Sequence, residues 1–306
     1  MKAEMPPAFL QNVDRSNGRR PRIALMGEFS AGKSTLANLM IGSEPLHVQI
    51  VATQMPPVWV SFGTGQAMVV DTDGKETPYA MTGTGPVDPE KTAYIRVFAE
   101  EDILRLVDII DMPGISDPNM SSEVWERVLP LADGVVWCSA STQAWRQSEA
   151  AVWESVPEQV RSKSILLLTR ADMLASSRDK SRVFRRVLSE TEDLFAQRQM
   201  ISLLEARDAG ECADKWAESG AEDFVNAFLD IVAELRRDLE SGDAGLSMPE
   251  ARRCEEVPVA GRKPTPSQLS SGHISPRRPT MNPADRVDDT VRDAADDHPD
   301  FMPKFS

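Results

Sequence analysis

Residues 27–34 read Gly-Glu-Phe-Ser-Ala-Gly-Lys-Ser, a match to G-x-x-x-x-G-K-[ST]. The run Arg22–Gly27 (RIALMG) precedes it and the helix-like TLANLMIG follows it. That context of apolar strand, glycine loop and helix is the one a phosphate-cradling loop requires. The glycines let the backbone curl until its N–H groups face phosphate oxygens, and the helix N-terminus adds positive partial charge. The loop Gly27, Glu28, Phe29, Ser30, Ala31, Gly32, Lys33, Ser34 and Thr35 is therefore the candidate nucleotide site. Lys33 is expected to reach the β- and γ-phosphates, and the Ser34 hydroxyl to bind Mg²⁺.

Three further elements follow in order. Asp111-Met112-Pro113-Gly114 comes directly after ILRLVDII. An Asp at the C-terminal end of a buried strand sits where open α/β sheets bind ligands. Asp111 is expected to hold Mg²⁺ through water, and the Gly114 N–H to contact the γ-phosphate. Thr169-Arg170-Ala171-Asp172 comes directly after SILLL. A carboxylate at Asp172 can accept two hydrogen bonds from guanine N1–H and its exocyclic amine, a donor pair adenine lacks. The stem of Arg170 is suited to cover one face of the base. Thr53 lies between the loop helix and the next strand, in IVATQMPP. A Thr there can close over Mg²⁺ and the γ-phosphate and position water.

Around these elements apolar strands alternate with helices, which predicts an α/β domain with a mostly parallel sheet. Residues 58–110 hold strand-like runs without an evident helix, so one edge is expected to be antiparallel. Helical spacing covers 124–131, 147–156, 178–199 and 221–240, and 200–204 reads as a last strand. Trp137, Trp145 and Trp153 recur every eight residues and read as core, with a partner patch as the sharper alternative; Glu149 and Glu154 read as solvated charge.

The chain has 306 residues and a formal charge of −14, from 34 Lys+Arg against 48 Asp+Glu. That balance disfavours sequence-independent nucleic-acid binding, which runs on cations neutralising phosphates, and simple attraction to anionic lipid. Three scattered Cys and three scattered His suggest neither a disulfide framework nor a metal site of those residues. No apolar run approaches the length of a membrane span, so the expected location is the cytoplasm, with at most peripheral contact at the inner face of a membrane. Residues 1–20 read as a flexible arm and 21–240 as the domain. Residues 241–306 hold 9 of the 22 prolines and no Trp or Tyr, and read as a disordered Pro-rich, acidic tail. Phe301, Met302 and Phe305 follow an acidic run there, as in a docking peptide or a merely solubilising tail.

The set G-E-F-S-A-G-K-S-T, T-x-x-P, D-x-P-G and T-R-A-D, in this order, resembles the GTPase domain of the dynamin superfamily, particularly its bacterial members. The resemblance covers about residues 21–240. It implies the three-layer P-loop fold and GTP/GDP with Mg²⁺. It implies that Ser30 binds a charge-compensating cation and Thr53 orders the attacking water, that Asp111 and Gly114 form the second switch, and that Thr169, Arg170 and Asp172 read the base. Eukaryotic dynamins carry Gln where this chain has Phe29, and Ile115 follows D-x-P-G, so turnover is expected to be slow or completed by dimerisation. Family members usually carry long helical stalks. The expected partner is then a second copy across the nucleotide face, or a protein that supplies a stalk. A nucleotide-dependent switch or scaffold with little turnover is the alternative reading, and a P-loop ATPase or kinase the third.

Overall fold

A computed structural model describes residues 8–11, 13, 19–42, 55–79, 87–118 and 120–241. Thr53 and the tail beyond Ser241 lie outside the described residues. In chain order the elements are α1 (Ala8–Gln11), β1 (Arg22–Gly27), α2 (Lys33–Ile41), β2 (Val58–Phe62), β3 (Met68–Asp71), β4 (Glu76–Pro78), β5 (Thr92–Ala99) and β6 (Asp108–Asp111). Then come α3 (Glu123–Glu126), β7 (Gly134–Ala140), α4 (Gln147–Ser155), α5 (Glu158–Arg161), β8 (Ile165–Thr169), α6 (Ser177–Glu190), β9 (Gln197–Met200), α7 (Leu203–Asp208), α8 (Ala213–Glu218) and α9 (Ala221–Ser241).

One nine-stranded sheet runs β4-β3-β5-β2-β6-β1-β7-β8-β9. The motif-bearing strands β6, β1, β7 and β8 are parallel neighbours, with β9 parallel beyond them. Their apolar runs are buried on both faces, as parallel strands demand. Ile23 and Leu25 of β1 join one core cluster, and Ala24 and Met26 the other. The first core is closed by α2, α7 and α9; the second by α3, α4 and α6. This is a three-layer mixed α/β fold, and its expected antiparallel edge is present. β2 runs antiparallel to β6 but parallel to β5, while β3 is antiparallel to both β4 and β5.

Helix α9 buries Phe224, Phe228, Ile231, Val232, Leu235 and Leu239, the spacing of one helical face. The three tryptophans are core. Trp153 stacks on Phe195 with centroids 4.2 Å apart, and Trp137 meets Trp153 edge-on at 5.3 Å.

Five local expectations are corrected. Residues 124–131, read as one helix, combine α3 with a 3-10 turn (Leu129–Leu131). The long helix expected over 178–199 stops at Glu190. There Thr191 Oγ1 turns back to the Val187 carbonyl at 2.7 Å, and the Arg198 guanidinium holds the Thr191 and Glu192 carbonyls. The last strand is Gln197–Met200 rather than 200–204. Over its described residues the N-terminal arm is not loose. Phe9, Leu10 and Val13 are buried, Phe9 lies edge-on to Tyr94 at 6.2 Å, and Arg19 pairs with Asp133 at 2.6 Å. Glu149 is buried, not solvated, because Trp137 Nε1, Ser139 Oγ and the Arg146 N–H donate to its carboxylate at 2.9–3.0 Å.

Candidate nucleotide site

β1 delivers Gly27 to the sheet edge at φ 137°. A Cβ there would stand 2.0 Å from the Cys138 carbonyl oxygen on β7, so only glycine lets the loop leave β1 so close to its neighbour. The loop then doubles back, with Ser30 also at positive φ, 58°. Lys33 opens α2 and folds its ammonium under the loop, donating to the Gly27 carbonyl at 3.1 Å and the Glu28 carbonyl at 2.8 Å. Burial lowers the Lys33 pKa, while Asp111, Cys138, Asp117 and Glu28 oppose that shift. A buried ammonium resting on neutral carbonyls is a cation awaiting an anion.

Ser34 and Asp111 meet: Ser34 Oγ donates to Asp111 Oδ2 at 2.6 Å. Burial raises the Asp111 pKa against the Ser34 hydrogen bond and Lys33. Asp111 Oδ1 is buried without a hydrogen-bond partner among the described residues. A hydroxyl beside a carboxylate with a spare oxygen is the hard-oxygen donor set that Mg²⁺ takes, completed by phosphate oxygens and water. No group of three acidic, His or Cys side chains gathers to hold a metal by itself among the described residues.

The segment after Asp111 leans on the loop. The Ile115 N–H donates to the Gly27 carbonyl at 3.2 Å, and the Phe29 N–H to Ser116 Oγ at 3.1 Å. Gly114 lies so close that a Cβ would meet Phe29 Cα at 2.7 Å. From the other side, Thr169 Oγ1 donates to the Ala31 carbonyl at 2.8 Å, and Arg170, at φ 55°, donates to the Ser30 carbonyl at 2.6 Å. Asp172 Oδ1 accepts from Ser202 Oγ at 2.9 Å.

The structure thus brings Gly27–Thr35, Asp111, Gly114, Thr169 and Arg170 together; Asp172 follows Arg170 by two residues and is held by Ser202, but it does not line the adjoining cavity. A cavity of about 480 Å³ opens between the loop, Asp111, Gly114 and Arg170. Thr53 itself is outside the described residues, but Met55 and Pro56, just after it, line the cavity.

Sequence reasoning missed Ser116, Ser202, and the pair Arg146 and Ser148, which hold the Glu28 carboxylate at 3.0 and 2.8 Å. Ser202 had a readable signal. Ser202-Leu-Leu-Glu205 is a helix-start pattern directly after a strand, and its hydroxyl caps the Glu205 N–H at 3.2 Å.

With this geometry in hand, comparison with known proteins gives concordant likenesses. The dynamin family model matches residues 23–171. Dynamin-like protein 2 of Campylobacter jejuni is 24% identical over 205 residues, covering 65% of this chain and 34% of that protein. The probable transmembrane GTPase FZO-like, chloroplastic, of Arabidopsis thaliana is 24% identical over 255 residues, covering 78% of this chain and 26% of that protein. Among solved structures, an oligomerised bacterial dynamin pair described as sensing and tethering membranes superposes with a TM-score of 0.52 at 20% identity, over 74% of this chain and 36% of that one. The chain spans about a third or less of the two curated relatives' lengths. Motif order, fold and the match over residues 23–171 agree: that stretch is similar to the dynamin family model, on a sheet of the P-loop GTPase fold.

Proposed function

We propose that this chain binds GTP with Mg²⁺ and hydrolyses it to GDP and phosphate, slowly as a monomer and faster when the nucleotide face meets a second copy. The observation that carries this is the Ser34–Asp111 contact at 2.6 Å, with its spare Asp111 oxygen, directly beside the buried Lys33 ammonium. Bound Mg²⁺ would supply charge neutralisation of the phosphates from Ser34 and Asp111. Lys33 and the loop amides stabilise charge on the transferring phosphoryl group. Arg170 and Asp172 orient the guanine, with Asp172 aimed by Ser202. In this reading Thr53, carried on the segment that leads into Met55 and Pro56, closes over the γ-phosphate and orders water, and Ser30 holds a compensating cation.

The family's usual Gln is replaced by Phe29, whose side chain is 54% exposed and has no atom that can orient water. That observation favours a second reading, a nucleotide-dependent switch or scaffold with little turnover. Among the described residues no helix is long and apolar enough to cross a membrane. One similar structure is described as an oligomerised dynamin pair that senses and tethers membranes; as part of the same proposal we assign this chain a peripheral role beside a membrane, in the cytoplasm, with a partner that supplies a stalk.

Phosphate release from GTP and from ATP, over a range of protein concentrations and with Lys33→Ala as blank, tests both readings. GTP turnover whose specific activity rises with concentration supports the enzyme. Tight guanine binding with turnover equal to the blank supports the switch. Equal handling of ATP and GTP overturns the base assignment.

A further inference from the structure

We infer that Arg146, which belongs to none of the motifs above, is a positioning residue of the nucleotide site: it neutralises Glu28 so that the loop can accept a polyphosphate. The inference rests on the nucleotide reading.

An acidic side chain inside a phosphate-binding loop is a physical problem. The cavity wall carries Lys33 and Arg170 against Asp111 and Asp117. Those charges balance, and Glu28 adds a third carboxylate, close enough to act on the Lys33 ammonium. A bare carboxylate there would repel incoming phosphates over several ångströms, a distance at which unit charges near a protein surface still interact appreciably. The structure answers this with a fork. Arg146 Nη1 donates to Glu28 Oε2 at 3.0 Å, and Ser148 Oγ to Oε1 at 2.8 Å.

The fork is built from inside the fold. The Arg146 backbone N–H is held at 2.9 Å by Glu149, whose buried carboxylate is itself fixed by Trp137 and Ser139. Ser139 Oγ also accepts from the Trp145 N–H at 3.0 Å, at the residue before Arg146, where φ is 56°. The guanidinium is therefore aimed by the core, although its side chain is 44% exposed against 17% for Glu28. An exposed surface pair with free side chains would contribute little. Here the effect arises because Glu28 lies within electrostatic reach of the Lys33 ammonium, a cavity-lining cation that a polyanion would meet.

The test is a double-mutant cycle read by titration with fluorescent GTP and GDP analogues, using Arg146→Gln, Glu28→Gln and the double variant, at low and high salt. Thermal unfolding of each variant checks the fold, and Arg146→Lys supplies a charge-conserving control. Arg146→Gln is expected to weaken GTP about five- to tenfold, and GDP less, because GDP carries less negative charge. In the Glu28→Gln background the Arg146→Gln substitution should change affinity little, so the double variant should match Glu28→Gln, whatever the loop substitution itself costs. High salt should narrow the differences, and Arg146→Lys should keep most of the affinity. An Arg146→Gln effect undiminished in the Glu28→Gln background, or Arg146→Gln indistinguishable from wild type, overturns the inference while leaving nucleotide binding in place. A wild-type chain that binds no guanine nucleotide overturns the functional reading and this inference with it.

Discussion

Gly114→Ala adds one methyl group where the Asp111–Gly114 segment packs against the Gly27–Ser34 loop. The backbone of Gly114 lies outside the positive-φ region, so the perturbation is steric alone. The new Cβ would lie 2.7 Å from Phe29 Cα and 2.8 Å from Phe29 N, about 0.7 Å short of the 3.4 Å at which ordinary contact begins. Both neighbours are backbone, so neither can swing aside. Opening the gap by that amount stretches two bonds that cross it, Ile115 N–H to the Gly27 carbonyl at 3.2 Å and Phe29 N–H to Ser116 Oγ at 3.1 Å. Both would leave hydrogen-bonding range. Overpacking of this kind costs about 1–3 kcal/mol, and each lost bond about 1 kcal/mol. The expected sum is about 3–5 kcal/mol, read as a lower urea midpoint with an unchanged slope. The damage should be local, so saturating guanine nucleotide should recover part of it if the ligand re-forms the segment. Urea titration with and without GDP is the assay. An unchanged midpoint would mean that the loop and the Gly114 segment are not in contact in solution, and would refute the description of this side of the site.

Three other perturbations follow from the same geometry. Asp172→Asn should reduce the preference for GTP over ATP by an order of magnitude or more, since a buried-type hydrogen-bond pair discriminates strongly; unchanged discrimination in competition titrations would remove Asp172 from base recognition. Ser202→Ala removes both the bond to Asp172 and the cap of α7, and should cost about 1 kcal/mol in unfolding along with a several-fold loss of guanine affinity, measured by thermal shift and titration. Burial pushes the Cys138 thiol up to about 12 from 9.0. Its unfolded form therefore ionises first, and the stability present below pH 9 should fall as pH rises towards 12, by about 1.4 kcal/mol per unit. Comparing wild type with Cys138→Ala in denaturant titrations at pH 8, 9 and 10 isolates that slope, and parallel slopes would contradict it.

What the sequence made legible were features whose signal is local. The phosphate loop announces itself because a strand, two glycines, a lysine and a helix must be contiguous. Asp111 and Asp172 could be placed because each follows an apolar strand whose end is fixed by the sheet. β9 was hidden because an edge strand needs no apolar face, and Gln197–Met200 has little of one. The stop of α6 at Glu190 depends on Arg198 reaching back to carbonyls, a contact no helical period records. Phe9 and Leu10 were lost in a polar, Pro-containing stretch, although two adjacent apolar residues suffice to cover Tyr94. Glu149 looked like surface charge because nothing in its own helix shows that Trp137 and Ser139 bring donors from β7. The contacts that complete the site are the least local of all. Ser202 reaches Asp172 across 30 residues, and Arg146 and Ser148 reach Glu28 across 118 and 120.

The aromatic knot beneath α4 gives the molecule an optical consequence. Trp137, Trp145 and Trp153 sit around Phe195 in a dry environment, with ring centroids no more than 6.3 Å apart along the chain of contacts. Trp137 donates to Glu149, which holds Arg146, which holds the Glu28 of the phosphate loop. The Trp137 indole is thus linked through two residues, Glu149 and Arg146, to Glu28 of the loop. A rearrangement of that loop that pulls Arg146 away with Glu28 would change the polarity around Trp137, and tryptophan emission of the unlabelled chain is then expected to shift with loop state.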